Sequence, residues 1–270
     1  MSLTVVNNVS SINAQRHVNK SQQSLGKSLE KLSSGLRINR AADDAAGLAI
    51  SEKLRANVRA LGQAGRNVND AVSLLQTTEG AMGEVSDMLI RMKELSEQAA
   101  TGTLGTTERG YLNTEYQALR TEITRIADNT KFNETSLLDG TLSKEVQVGI
   151  TSGESITVAF SDIDSAALSL TSSISTVTNA SAALTSTTTA ISTVASRRAS
   201  VGALQNRFES ISNSIANQVE NLTAAESRIR DVDIAAESAN LTKNSILVQA
   251  GVSVLAQANQ SPQIALALLS

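Results

Sequence analysis

Residues 45–100 read AAGLAISEKLRANVRALGQAGRNVNDAVSLLQTTEGAMGEVSDMLIRMKELSEQAA, with apolar side chains at Leu48, Leu54, Val58, Leu61, Val68, Val72, Leu75, Val85, Leu89, Met92 and Leu95. These positions recur at the three-and-four spacing of one helix face, with few breakers before Gly102 and Gly105. The spacing predicts one helix over about 45–100, roughly 80 Å long at 1.5 Å per residue, against about 50 Å across a compact globule of this chain length. A rod is expected.

The same rhythm extends outward in both directions. Before the run, Leu25, Leu29, Leu32 and Leu36 follow i, i+4, i+7, i+11, and Gly35 and the Asn39–Asp44 region allow a bend. After it, Thr101–Thr107 reads as a turn, and Tyr111–Asp128 as a helix with Leu112, Tyr116, Leu119, Ile123 and Ile126 on one side. Val146, Val148 and Ile150, then Ile156, Val158 and Phe160, alternate with polar residues around Thr151–Glu154, the pattern of a β-hairpin. Roughly half of residues 161–200 are Ser or Thr, a composition that predicts a surface segment or low-complexity connection rather than a core, with its later part free to join a helix. Leu204, Phe208, Ile211, Ile215, Val219 and Leu222 then form a heptad-like seam suited to pairing with the first long helix.

Composition narrows the function classes. Aromatic residues make up 2% of the chain, with no Trp, so Ala, Leu, Val and Ile must fill any core, which suits close-packed helices. A net charge of −3 without a basic stripe argues against a nucleic-acid surface. Apolar runs are broken by Asn, Gln and Ser before the roughly 18 residues of a membrane span, and the basic start and apolar run of a secretory signal are missing. No Cys is present, so thiolate metal sites and disulfides are excluded. His17 stands alone, Asp43 and Asp44 point about 100° apart on a helix, and the 102–105 turn lacks the Gly-Lys-Ser/Thr ending of a phosphate loop. No catalytic, metal or cofactor site is expected. Asn179-Ala180-Ser181 is a short sequon of low specificity, and the hydroxyls near it suit either O-glycosylation or an unmodified loop.

Both ends are free of charge. Nothing ionises before Arg16 or after Lys243. Val5, Val9 and Ile12 recur at helical spacing, and Leu247, Val248, Gly251, Val252, Val254, Leu255 and Ala258 cover one broad helix face. Ordering a tail of about 27 residues costs roughly 40 kcal/mol, which requires about 1,600 Å² of apolar burial. A lone helix cannot supply that, so the ends are expected to order inside an assembly. Both tails flank one rod, and an antiparallel return sets them side by side.

Four motifs carry a family resemblance: LSSGLRIN at 32–39, ADDAAGLAIS at 42–51, NLTAAESRIRDVD at 221–233 and QAGVSVLAQANQ at 249–260. In this order they resemble bacterial flagellin. The resemblance implies a mainly α fold: a long antiparallel helical rod, coiled-coil-like, with a small β-hairpin and paired N- and C-terminal helical tails. The implied divisions are an inner-tube tail at 1–42, rod helices and hairpin at 43–160, a Ser/Thr-rich connection at 161–190 in place of variable outer domains, a rod helix at 191–230 and a second inner-tube tail at 231–270.

It also implies a non-enzymatic subunit that self-polymerises into the extracellular flagellar filament after type III export. The implied partners are other copies, an export chaperone, the filament cap and hook-junction proteins, with no nucleic acid and no membrane insertion. Val5, Val9, Ile12, Leu25, Leu29, Leu32 and Leu36, with the C-terminal stripe, become assembly residues. Asp43, Asp44, Arg228, Arg230, Asp231 and Asp233 become rod–tail joints rather than a metal site. Arg91, Leu95 and Glu115 match family positions that contact a vertebrate Toll-like receptor; a solvated ion pair or a subunit contact is the plainer reading. The competing identities are a hook-filament junction protein of the same lineage and a chemoreceptor-like signalling hairpin, the latter opposed by the strand pair.

Overall fold

The computed structural model describes the backbone of residues 7–170 and 173–267, and side chains up to residue 260. The helices are α1 (Val9–Ser34), α2 (Ala45–Ala100), α3 (Thr106–Asn129), α4 (Val177–Arg230) and α5 (Ile234–Ala267). Between α3 and α4 lie β1 (Lys131–Phe132), β2 (Thr135–Ser136), β3 (Ser143–Gln147) and β4 (Ser155–Ala159). The fold is mainly α, and α2 covers the span its apolar spacing predicts. Among the described residues, no helix is long and apolar enough to cross a membrane. The chain forms two compact units, residues 57–220 and residues 1–56 with 221–270.

In the 57–220 unit, α2 buries Leu61, Ala64, Val68, Ala71, Leu75, Thr78, Met82, Val85, Leu89, Met92, Ser96 and Ala99. Their spacing alternates three and four without a slip, the seam of a left-handed coiled coil. On α4, Ala180, Ala183, Thr187, Ala190, Val194, Val201, Phe208 and Ile215 hold the same frame. The two helices run antiparallel in this unit: Gly65 faces Ile215, whereas Glu79 accepts a bond from Gln205 at 2.9 Å. α3 returns along the last turns of α2, burying Tyr116, Ile123 and Ala127. The Arg109 guanidinium, 7% exposed, donates to the carbonyls of Ala99 and Thr101, both at 2.9 Å, and so caps the C-terminus of α2.

The last long helix begins at Val177, well before the expected 191, so 177–190 is not part of the connection. Ser and Thr depress helix propensity by competing for backbone bonds. Here their hydroxyls bond back to carbonyls of the preceding turn, as Thr185 does to Ser181, Thr188 to Leu184 and Thr193 to Thr189. Ala180, Ala183 and Ala190 meanwhile fill the seam. The shorter connection is no bare surface loop either, because Ile163, Leu168, Leu170 and Ile174 are buried.

The expected hairpin forms, with β3 and β4 antiparallel and Val146 opposite Ile156. Ile156, Val158 and Phe160 face inward, and Gly153 at φ +99° supplies the left-handed turn residue. A second pair, β1–β2, closes through Asn133 and Glu134, both at positive φ, the signature of a two-residue hairpin loop.

The other unit pairs α1 with α5. Asn8 caps α1 through the Ser11 amide and donates its side-chain amide to the Ala258 carbonyl at 2.7 Å. Ser11 meets Asn259, and Val18 packs on Gly251, so the two helices are antiparallel.

Candidate assembly surface

The α1–α5 seam is built mainly from small residues. Ala14, Val18 and Ser28 are buried on α1, with Ser11, Ser21, Ser24, Leu25 and Leu32 half-buried beside them. On α5 the inward positions are Leu241, Ser245, Val248, Gly251, Leu255 and Ala258. A Cβ at Gly251 would lie 2.7 Å from Val18 Cγ2, so this close approach requires glycine. Small residues on the inside leave the bulky ones outside. Val9, Ile12 and Leu29 on α1, and Ile246, Leu247, Val252 and Val254 on α5, are between 46% and 59% exposed.

The expected single C-terminal stripe is therefore split. Val248, Gly251, Leu255 and Ala258 turn toward α1, whereas Leu247, Val252 and Val254 are left open. The reason is geometric: seven positions spread over more arc than one partner helix can cover. Ile234 and Ile246, at 55% and 59% exposure, belong to the open set and were not among the expected residues. Their place in an uncharged or sparsely charged run was the available signal. Val5 lies outside the described residues.

The joint residues of the same unit interlock. Gly35, at φ +73°, ends α1, and Leu36 forms a β-bridge with Asp231. That puts Leu36 in the joint and not on the tail face. The Arg37 amide donates to the Arg230 carbonyl at 2.6 Å, and the Val232 amide to the Gly35 carbonyl at 3.0 Å. The Arg37 guanidinium covers the Ile229 carbonyl at the end of α4. Asp43 accepts from the amides of Arg40 and Asn39; those bonds, Arg40's first, hold its carboxyl below the usual range, aided by Lys27 and Lys31. Asp44 accepts from the Gly47 amide at the start of α2, and Asp233 from Ala235 and Ala236 at the start of α5. Arg230, its side chain 14% exposed, pairs with Glu52 at 2.9 Å, and Glu52 also holds Arg55. Arg228 is exposed. Glu52 and Arg37 carry no motif of their own, which is why spacing alone did not single them out.

Comparison with known proteins follows the same division. Residues 5–143 match the bacterial flagellin N-terminal helical region, and residues 184–269 its C-terminal helical region. The chain belongs to the bacterial flagellin family. It is similar to the flagellin of Halalkalibacterium halodurans, 46% identical over 99% of this chain and 100% of that one. It also resembles a flagellar filament 33 kDa core protein of Treponema phagedenis, 39% identical over the same shares. A crystal structure of Bacillus cereus flagellin, 35% identical, covers 60% of this chain and 94% of its own, with a TM-score of 0.50.

A flagellin is a structural subunit of the flagellar filament; the junction-protein and signalling-hairpin readings are not favoured. In this flagellin the two family regions leave 144–183 between them, the stretch of the hairpin and the buried connection. Arg91 and Glu115 meet across α2 and α3 at 2.8 Å, with Glu94 on the same guanidinium at 3.0 Å; these carboxylates, Glu115 first, raise the Arg91 pKa. Leu95 does not join them. It is 1% exposed, buried beside the α2 seam, and presents no surface to a receptor.

Proposed function

We propose that this flagellin polymerises through the outer face of the α1–α5 pair, each copy covering bulky apolar residues of its neighbours. The observation that carries this is the inside-out distribution of size. Mostly small side chains close the pair, while Val9, Ile12, Ile246, Leu247, Val252 and Val254 are left between 46% and 59% exposed on segments without ionised groups. Packing many such faces together desolvates no charge, so association gains apolar burial without the penalty of burying ions. Order in the two tails then comes from the assembly.

The same reading extends to export through the flagellar type III apparatus, to an extracellular filament, and to the cap and hook-junction proteins at its ends. An export chaperone would cover the open face of α5 before secretion. With Leu95 inside the bundle, a contact with a Toll-like receptor would fall to Arg91 and Glu115, and Arg91→Ala should then abolish the response of a receptor reporter to depolymerised protein.

Electron microscopy after salt-induced assembly tests the central claim. Full-length chain should form filaments, and chain lacking Leu247–Ser270 should not. Unchanged filaments without that segment would refute the mechanism.

A further inference from the structure

Past Ile12 the outward face of α1 changes character. Arg16, Lys20, Lys27 and Lys31 fall within about 60° of arc, in line with Val9 and on the far side from the seam residues Ala14 and Val18. They form a basic stripe roughly 22 Å long, with Arg16, Lys20 and Lys27 exposed and Lys31 half-buried. Among the described residues none of the four makes an ion pair. The stripe restricts what can cover α1. An apolar neighbour laid over it would desolvate unpaired cations, which strongly opposes association.

The carboxylates that could answer it are unevenly distributed. The unit of residues 1–56 and 221–270 holds 11 basic residues and 8 acidic ones, whereas residues 57–220 hold 12 and 18. Five of the eight already have partners: Arg40 on Glu30, backbone amides on Asp43, Asp44 and Asp233, and Arg55 with Arg230 on Glu52. Lys27 and Lys31 act on Asp43 only through the field, since that carboxylate is bonded to the Asn39 and Arg40 amides. The surplus lies on the rod. Asp70, Glu84, Asp87 and Glu97 on α2, with Glu209 and Glu220 on α4, are exposed and make no ion pair among the described residues.

We infer that the basic stripe of α1 docks on the acidic unit of residues 57–220 in a second copy of this chain. The inference rests on the assembly reading above and adds to it a polar contact that selects which part of a neighbour lies against α1. Charge complementarity names the occupant: two tail units repel through their stripes, whereas a rod with 18 acidic residues against 12 basic ones attracts them. Position agrees, because the stripe prolongs the line of Val9 and Ile12, the face left open for neighbours. Apolar residues then drive association, and the stripe fixes its orientation by setting tail beside rod.

Filaments grown from a mixture of isotopically light and heavy copies and treated with a carbodiimide test this, since the reagent joins lysine amines to carboxylates in contact. Light–heavy crosslinks from Lys20, Lys27 or Lys31 to an Asp or Glu of residues 57–220 are expected in filaments and not in depolymerised chain. Crosslinks within one copy alone, crosslinks to tail carboxylates alone, or none overturn the inference. Lys20→Gln with Lys27→Gln should raise the critical concentration for assembly about tenfold, a few-fold for each surface pair, while Lys20→Arg with Lys27→Arg holds it within about twofold. A Gln variant that assembles at the wild-type concentration would leave the stripe merely solvated, and an Arg variant as impaired as the Gln one would show that charge is not what is read; either overturns the docking. Depolymerised Gln variant should melt with wild type, because both side chains are exposed, and a large fall would assign the stripe to the fold instead. Wild-type chain that never polymerises would refute the assembly reading.

Discussion

Replacing Val252 and Val254 together with serine isolates the open face of α5 from its closed one. Both side chains point away from α1, at 51% and 59% exposure, while Val248, Gly251 and Leu255 keep the intramolecular seam. Fully burying a valine is worth about 1.5 kcal/mol, so covering the remaining half of each contributes about 0.8 and 0.9 kcal/mol. The double variant should therefore lose roughly 1.7 kcal/mol of assembly free energy, a rise of about fifteenfold to twentyfold in critical concentration. The chain's own stability should move by less than about 0.5 kcal/mol, because neither residue is packed within it. Sedimentation of assembled from free protein over a concentration series reads the first quantity, and thermal melting by circular dichroism the second. Filaments forming at the wild-type concentration would refute the reasoning. A large fall in melting temperature would show that the residues serve the fold and not the polymer.

Three further outcomes follow from the geometry. Gly251→Ala places a methyl 2.7 Å from Val18 Cγ2, so α1 and α5 must separate, and amide exchange along both helices should quicken; unchanged protection would refute the tight seam. Arg109→Ala leaves the Ala99 and Thr101 carbonyls without their donors and should cost about 2–4 kcal/mol, read as a shift in the urea midpoint at constant slope. Asp43, Asp139 and Glu154 all have lowered pKa values, from bonds to Arg40, Thr141 and Thr151 respectively. Their contribution is complete above the ordinary values of 3.8 and 4.5 and is lost as pH falls through the depressed ones, so Asp139→Asn should flatten the acid limb of a pH–stability curve below 3.8; an unaltered limb would count against it.

Much of the fold was readable because a helix writes its partners into its spacing. The α2 boundaries follow from an apolar frame held from Leu61 to Ala99, and Phe208 and Ile215 carried the matching frame of α4. The start of α4 was hidden for a physical reason. Ala, Ser and Thr between 177 and 196 form a seam too small to register as hydrophobic, although Ala180, Ala183, Thr187 and Ala190 keep the heptad. Leu95 shows the limit of the i, i+4 rule: a step of about 40° around the helix carries the chain from the exposed Arg91 into the core. At the joint, Asp44 and Asp233 accept helix-start amides, whereas Asp43 accepts the amide of Arg40 in the bend before α2. The Glu52–Arg230 pair was not legible, because it joins residues far apart in the chain.

The two units use the same helix in opposite ways. In residues 57–220, side chains as large as Tyr116, Phe208, Leu89 and Met92 are wholly enclosed, so the antiparallel heptads satisfy themselves. In the unit of residues 1–56 and 221–270, the buried apolar residues among those described are Ala14, Val18 and Ile38, although α1 and α5 together are longer than either rod helix. Burial on that scale cannot offset the entropy of ordering two such helices. What it can do is set their register, through Gly251 against Val18 and the Asn8 and Ser11 contacts, so that the bulky residues emerge on the outside in a fixed pattern. On the proposed assembly reading, a pair that is registered but under-buried gains its stability from neighbouring copies, which is the property a polymerising subunit requires.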